Sequence, residues 1–174
     1  SLTRFGRLED VLAGIEAAKL AGFERLKLNV VVLNGVNDDE VLSLTEFAVH
    51  NELDIAFIEE MPLGRISSAQ RLSTALDNQS VQQQLAAVYT LQPSPKHDPN
   101  AGPARHFELA NTRTRVGFIS PMTNNFCASC NRVRVTAEGQ LLLCLGNEHS
   151  LDLRAILRDN PGALEASIID AMQR

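Results

Sequence analysis

The sequence predicts an α/β protein: alternating strands and helices of a small α/β domain or of a partial (βα) barrel, followed by a small α+β domain. Three observations predict it. The first third alternates helix and strand with short connections. A proline-rich stretch then interrupts the pattern. Short alternating segments and a cysteine cluster follow.

Leu8, Val11, Leu12, Ile15, Ala18 and Leu20 recur at helical spacing, and Gly22 is placed to stop that helix. Leu26 to Leu33 is short and rich in β-branched residues, so it reads as a strand. Asn34-Gly35-Val36-Asn37 is turn chemistry. Asp38-Asp39-Glu40 places acids where a helix dipole favours them, and that helix carries Val41, Leu44, Phe47 and Ala48. Leu53 to Met61 is a second strand, ended by Pro62-Leu63-Gly64. Two parallel strands make a meagre sheet and cannot close a barrel, so the chain reads either as a small α/β domain with further strands elsewhere or as part of a longer α/β barrel protein. Ser67 to Leu91 is mostly helical. Residues 92–106 hold four of the seven prolines and read as a connection between two units. The expected division is 1–92 for the barrel part, 93–102 for the linker and 103–174 for the second domain. Within that domain, strands are expected around 107–109, 115–119 and 131–136. A turn at 137–140 returns the chain through a strand to Cys144, and two helices broken at Pro161-Gly162 close it.

The 174 residues are 44% apolar and 21% charged, enough for a sizeable core and too apolar for a disordered chain. The net charge of −5 argues against a nucleic-acid binder, and no stretch is apolar enough to span a membrane. Three cysteines are a poor disulfide framework, and a cytoplasmic location is expected. The charge is uneven. Residues 1–60 hold five basic and twelve acidic groups, whereas residues 103–136 hold five basic and one acidic.

The cysteines fall in one run, Cys127-x2-Cys130-x13-Cys144, with the pair before the predicted hairpin and the third on its return strand. Three thiolates that converge there select zinc, copper(I) or an iron–sulfur cluster. With His149 as a fourth ligand they make a Cys3His zinc module, and alone they can hold a [4Fe–4S] cluster with one iron open. Arg132 and Arg134 share one face of the predicted strand, and Arg113 and Arg115 repeat the spacing. Four guanidinium groups on neighbouring strands form either a polyphosphate clamp or the solvated face of a sheet. Lys27 and Asn29 share the polar face of the first strand, and Glu59 and Met61 are expected to do the same on the second. His50, His97 and His106 read as surface residues.

Several segments together resemble the radical S-adenosylmethionine GTP 3′,8-cyclase family of molybdenum cofactor biosynthesis. They are Phe126-Cys127-Ala128-Ser129-Cys130-Asn131-Arg132-Val133-Arg134 with the preceding Phe118 to Thr123, Thr136 to Gly139, Leu143-Cys144-Leu145 and Asp152-Leu153-Arg154. Lys27 to Asp38 and Phe57 to Gly64 are similar to the later barrel strands of that family, and Gly102 to Arg105 matches it too, in the same order, which implies the later strands and helices of a partial radical S-adenosylmethionine barrel. The resemblance implies that Cys127, Cys130 and Cys144 hold a second [4Fe–4S] cluster. It implies that Lys27, Arg132, Val133 and Arg134 contact GTP and that Met61 lines the S-adenosylmethionine side. In such enzymes an N-terminal CxxxCxxC holds a first [4Fe–4S] cluster that cleaves S-adenosylmethionine. The radical formed converts GTP to (8S)-3′,8-cyclo-7,8-dihydroguanosine 5′-triphosphate. This chain has no CxxxCxxC. It is therefore expected to be the C-terminal part of such an enzyme and inactive alone. Its expected partners are GTP, S-adenosylmethionine, the missing half of the barrel and a second copy of itself in a homodimer. No catalytic side chain is assigned.

Overall fold

The structure is a computed structural model that describes residues 6–61, 76–94, 102–126, 130, 132–144 and 150–173. A five-stranded mixed sheet organises the first part. Its strands are β1 (Lys27–Val32), β2 (Asp54–Glu59), β3 (Leu91–Pro93), β4 (Arg105–Leu109) and β5 (Arg115–Ile119), in the order β1-β2-β5-β4-β3. The first three in that order are parallel, and β4 and β3 add on antiparallel. Among the described residues its helices are α1 (Leu8–Leu20), α2 (Val41–His50) and α3 (Asn78–Ala86). The expected helices and strands through residue 60 are therefore present, with Gly22 and Gly35 taking the left-handed conformation their turns require. The expected stop at Pro62-Leu63-Gly64 and most of the helix expected from Ser67 lie outside the described residues.

The sheet does not respect the expected linker. Strands β4 and β5 follow residues 93–102 yet pair with β2, so one sheet runs across that boundary. A third parallel strand, β5, joins the two read from the sequence.

One face of the sheet is the core. Val32, Ile55, Phe57, Val116, Phe118 and Leu109 meet Val41 and Ala48 of α2 and Val81 and Leu85 of α3, all at most 2% exposed. Phe118 is the centre of this layer. Its ring stacks on Phe57 at 6.3 Å and meets the edge of Phe107 at 5.6 Å.

Two buried carboxylates fix the ends of the parallel strands. Asp54, at the start of β2, accepts from the Arg25 Nε at 2.9 Å, the Arg115 Nη2 at 2.9 Å and the Arg115 amide at 3.0 Å. Burial pushes its carboxyl up, but the hydrogen bonds and charge of the two arginines outweigh this and hold it below the ordinary aspartate value. Glu59 does the corresponding work at the other end of β2. It accepts from the Asn78 amide at 3.0 Å, the Met122 amide at 3.1 Å, the Thr123 amide at 3.0 Å and the Thr123 hydroxyl. Burial again opposes ionisation, and these four donors again win, so its carboxyl also sits low. Asn78 completes the junction by donating to the Ile119 carbonyl at 2.9 Å and the Ser120 hydroxyl at 2.9 Å.

The second part is a three-stranded antiparallel sheet of β6 (Arg134–Val135), β7 (Gln140–Leu142) and β8 (Ser150–Asp152), in that order. The expected turn lies between β6 and β7, with Gly139 at a positive φ. Arg154 packs within 3.1 Å of where a Gly139 side chain would begin, a second reason for glycine there. The two closing helices are α4 (Leu153–Asp159) and α5 (Leu164–Met172), with a 3-10 turn at Pro161–Ala163 between them. The Asp152 carboxylate caps α4 through the Ala155 amide at 2.8 Å.

Phe118→Ala should remove about 3–5 kcal/mol of unfolding free energy, because the cavity sits where three aromatic rings meet; chemical denaturation measures it. Acid should be the second weakness. Both carboxylates titrate lower in the folded chain than in the unfolded one, so their stabilisation is complete above the ordinary carboxylate value of about 4. It is lost as pH falls through their depressed folded values. Asp54→Asn should flatten the acid limb of a stability-against-pH curve, whereas an unchanged limb would contradict the assignment.

Candidate functional site

Two surfaces carry the residues singled out by the sequence. The first is the face of the mixed sheet opposite the core. In β1 the alternation leaves Lys27, Asn29 and Val31 exposed and turns Leu28, Val30 and Val32 inward, as the sequence predicts. The register continues that row through Asp54, Ala56 and Ile58 of β2 to Gly117 and Ile119 of β5, where Asp54, Ala56 and Gly117 are buried. Lys27 therefore stands on a face whose middle is floored by small residues.

The second strand departs from expectation. Glu59 does not share this face. It lies in register with Val32, on the core side, and is 3% exposed. Met61 is past the end of the strand and half-buried. An even spacing predicts a shared face only while the strand continues, and β2 ends at Glu59.

The second surface is the open end of the β6–β7 hairpin. Arg134 pairs with Leu142, so the chain before β6 and the chain after β7 leave the hairpin together. Cys130 and Cys144 lie on those two strands of chain, four residues before Arg134 and two after Leu142, and both are exposed. Cys127, Asn131 and His149 lie outside the described residues, and among the described residues no group of three potential metal ligands is assembled. Cys130 and Cys144 nonetheless fit a metal centre in their chemistry: two soft, exposed sulfur donors brought to one end of a hairpin, with a third three residues upstream.

The arginines separate into two pairs. Arg132 and Arg134 are exposed beside the cysteines, with Val133 between them at 43% exposed. Arg132 also reaches back toward the mixed sheet. Its guanidinium lies against Gly102, where a β-carbon would come within 2.7 Å of Cζ. Gly102 also takes a positive φ, a backbone conformation that favours glycine. Arg113 and Arg115 do not join them. Arg113 pairs with Glu52 at 3.1 Å and Arg115 with Asp54, so the four-guanidinium row expected from spacing is a two-guanidinium one. The sequence could not reveal this, because the acidic partners lie some sixty residues upstream on a neighbouring segment.

One polar residue of this face departs from its expected surface position in the 92–106 connection. His106 lies on β4, in register with Gly117, on the same face as Ala56. The signal was available: Phe107 and Leu109 are core residues at period two, which sends His106 and Glu108 to the other side. His50, at the end of α2, is exposed as expected, and His97 lies outside the described residues.

Comparison with known proteins agrees with the resemblance carried by the cysteine and strand segments. Residues 53–174 match the family description Molybdenum Cofactor Synthesis C. The chain is 56% identical to a GTP 3′,8-cyclase of Pseudomonas entomophila (strain L48), over 99% of this chain and 52% of that protein. It is 54% identical to a GTP 3′,8-cyclase of Pseudomonas syringae pv. syringae (strain B728a), again over 99% and 52%. A GTP 3′,8-cyclase 2 of Pseudomonas aeruginosa is 51% identical with the same coverage. The chain thus spans about half the length of the curated relatives it matches. Among the described residues no helix is long and apolar enough to cross a membrane. With more than half of its residues matched and this identity to its relatives, the chain belongs to the Molybdenum Cofactor Synthesis C family.

Proposed function

We propose that this chain is the C-terminal portion of a cytoplasmic GTP 3′,8-cyclase and forms the GTP-holding part of it. The observation that carries this reading is the joint placement of Cys130, Cys144, Arg132 and Arg134 at one end of the hairpin, in a chain 56% identical to a protein named for that activity. Cys127, Cys130 and Cys144 would hold a [4Fe–4S] cluster. Bound there, such a cluster supplies an open iron to a ligand atom of the substrate.

The chain's own residues do the rest. Arg132 and Arg134 present planar forks of donors that match phosphate oxygens two at a time. The Arg132 fork lies against Gly102, just before β4. Val133 lies between them as an apolar surface. Lys27 offers a single flexible cation from the open face of the sheet, suited to a phosphate that moves between states. Met61, just beyond β2, would face S-adenosylmethionine, with its position set by the neighbouring Glu59 junction. The radical that starts the reaction would come from the part of the enzyme that carries a CxxxCxxC, which this chain does not contain. Alone, it should bind substrate without turning it over.

A Cys3His zinc module is the competing reading, and metal content separates the two. Anaerobically prepared full-length protein should contain iron and sulfide in both cluster sites. Cys144→Ala should lose roughly four irons per chain and all product formation; one zinc and no iron at the C-terminal site, or normal turnover in the variant, would contradict the proposal. Arg132→Ala should weaken GTP binding by roughly 1.5–3 kcal/mol, measured by calorimetry, and leave S-adenosylmethionine binding unchanged. Equal loss for both ligands would point to a structural role instead.

A further inference from the structure

The mixed sheet's open face contains a polar atom that its own packing does not explain. The register aligns Asn29, Ala56, Gly117 and His106 in one row across β1, β2, β5 and β4. Three strand spacings separate the ends of the row by about 14 Å. Alanine and glycine floor the interval. The row beside it begins with Lys27, so this face carries an exposed lysine and asparagine on β1 and a half-buried histidine on β4, with Ala56 and Gly117 buried between them.

The imidazole leans on Gly117. A β-carbon there would lie 3.3 Å from both Cε1 and Nδ1 of His106 and 3.3 Å from the Ala104 side chain. Nδ1 is fully buried and has no hydrogen-bond partner. Buried polar atoms are almost always satisfied, and an orphan one calls for a reason. Packing gives none, because a phenylalanine or leucine could cover Gly117 without an orphan atom. Burial lowers the basicity of the ring. Arg115, Lys27 and Arg25 add to that effect, and only Asp54 opposes them. These effects favour the neutral ring, which carries one proton. On the sealed Nδ1 that proton would meet no acceptor. It belongs on Nε2, which is not sealed and makes no hydrogen bond among the described residues.

We propose that His106 is a substrate-contacting residue on this face, donating the Nε2 proton to an oxygen of an anionic nucleotide that also reaches Lys27. The proposal rests on the reading of the chain as a GTP-holding unit. It adds a contact from β4, across the sheet from Lys27 and separate from the hairpin arginines. Contacts from two separate strands fix a ligand's orientation, where a lone lysine fixes only its charge.

Three substitutions test it in the full-length protein with its clusters reconstituted, with GTP and S-adenosylmethionine affinities measured by calorimetry. His106→Gln puts an amide nitrogen near the place of Nε2 and should bind GTP within about twofold of the unaltered protein. His106→Asn puts it near Nδ1, and His106→Phe offers no donor; both should bind GTP about tenfold more weakly, the scale of one hydrogen bond. S-adenosylmethionine affinity and melting temperature should stay unchanged in all three. If His106→Phe binds GTP as tightly as the unaltered protein, this inference falls and the GTP-holding reading survives. If the unaltered protein binds no GTP, both fall. Should His106→Phe not fold, equal GTP affinities for the Gln and Asn variants overturn the inference.

Discussion

The Glu59 carboxylate sits 3% exposed at the C-terminal end of β2, and four donors from two other segments converge on it. An ionised carboxylate so placed is tolerable only because its oxygens are satisfied by backbone amides and a hydroxyl. The consequence is geometric. The first turn of α3 and the turn at residues 121–123 can each take one position relative to β2. The second of these turns leads directly into the segment that holds Cys127 and Cys130. Met61 leaves from the strand end that Glu59 anchors. One buried charge thus sets the start of two of the proposed ligand-holding segments.

The mixed sheet divides its labour by face. The core face spends its side chains on Phe57, Phe118 and the aliphatic residues beneath α2 and α3. That leaves the opposite face free to carry Lys27, Asn29 and His106 over a floor of Ala56 and Gly117. Asp54 pairs with both arginines at one end of this face, so Arg25 and Arg115 are structural cations. Lys27 is left as the cation of the open face that none of the hydrogen bonds and ion pairs within the described residues engages.

Much of this was legible in the sequence, where local pattern suffices. Alternating helix and strand marked α1, β1, α2 and β2, because each has its own periodicity and its own punctuation, such as Gly22, Gly35 and Asp38-Asp39-Glu40. The hairpin around Gly139 was visible for the same reason. What escaped depends on distant partners. Strand β3 has three residues and ends in Pro93, and only its pairing with β4 makes it a strand. Strand β5 was visible, but its place beside β2 was not, since the partners lie about sixty residues apart. Arg113 and Arg115 looked like clamp residues until Glu52 and Asp54 met them. Glu59 looked like a site residue and is a buried anchor; His106 looked like linker and lies on the open face. In each case the missing quantity was which residue stands opposite, not which element forms.

The central claim is that Cys127, Cys130 and Cys144 hold an iron cluster with one open iron close to where GTP is bound. Mössbauer spectroscopy of full-length protein reconstituted with iron-57 tests it most directly, recorded before and after addition of GTP. The account predicts that one iron site of the C-terminal cluster changes its isomer shift and quadrupole splitting when GTP is added, while the others stay as they were. A spectrum that GTP leaves untouched, or a C-terminal site with no iron in it, would contradict it.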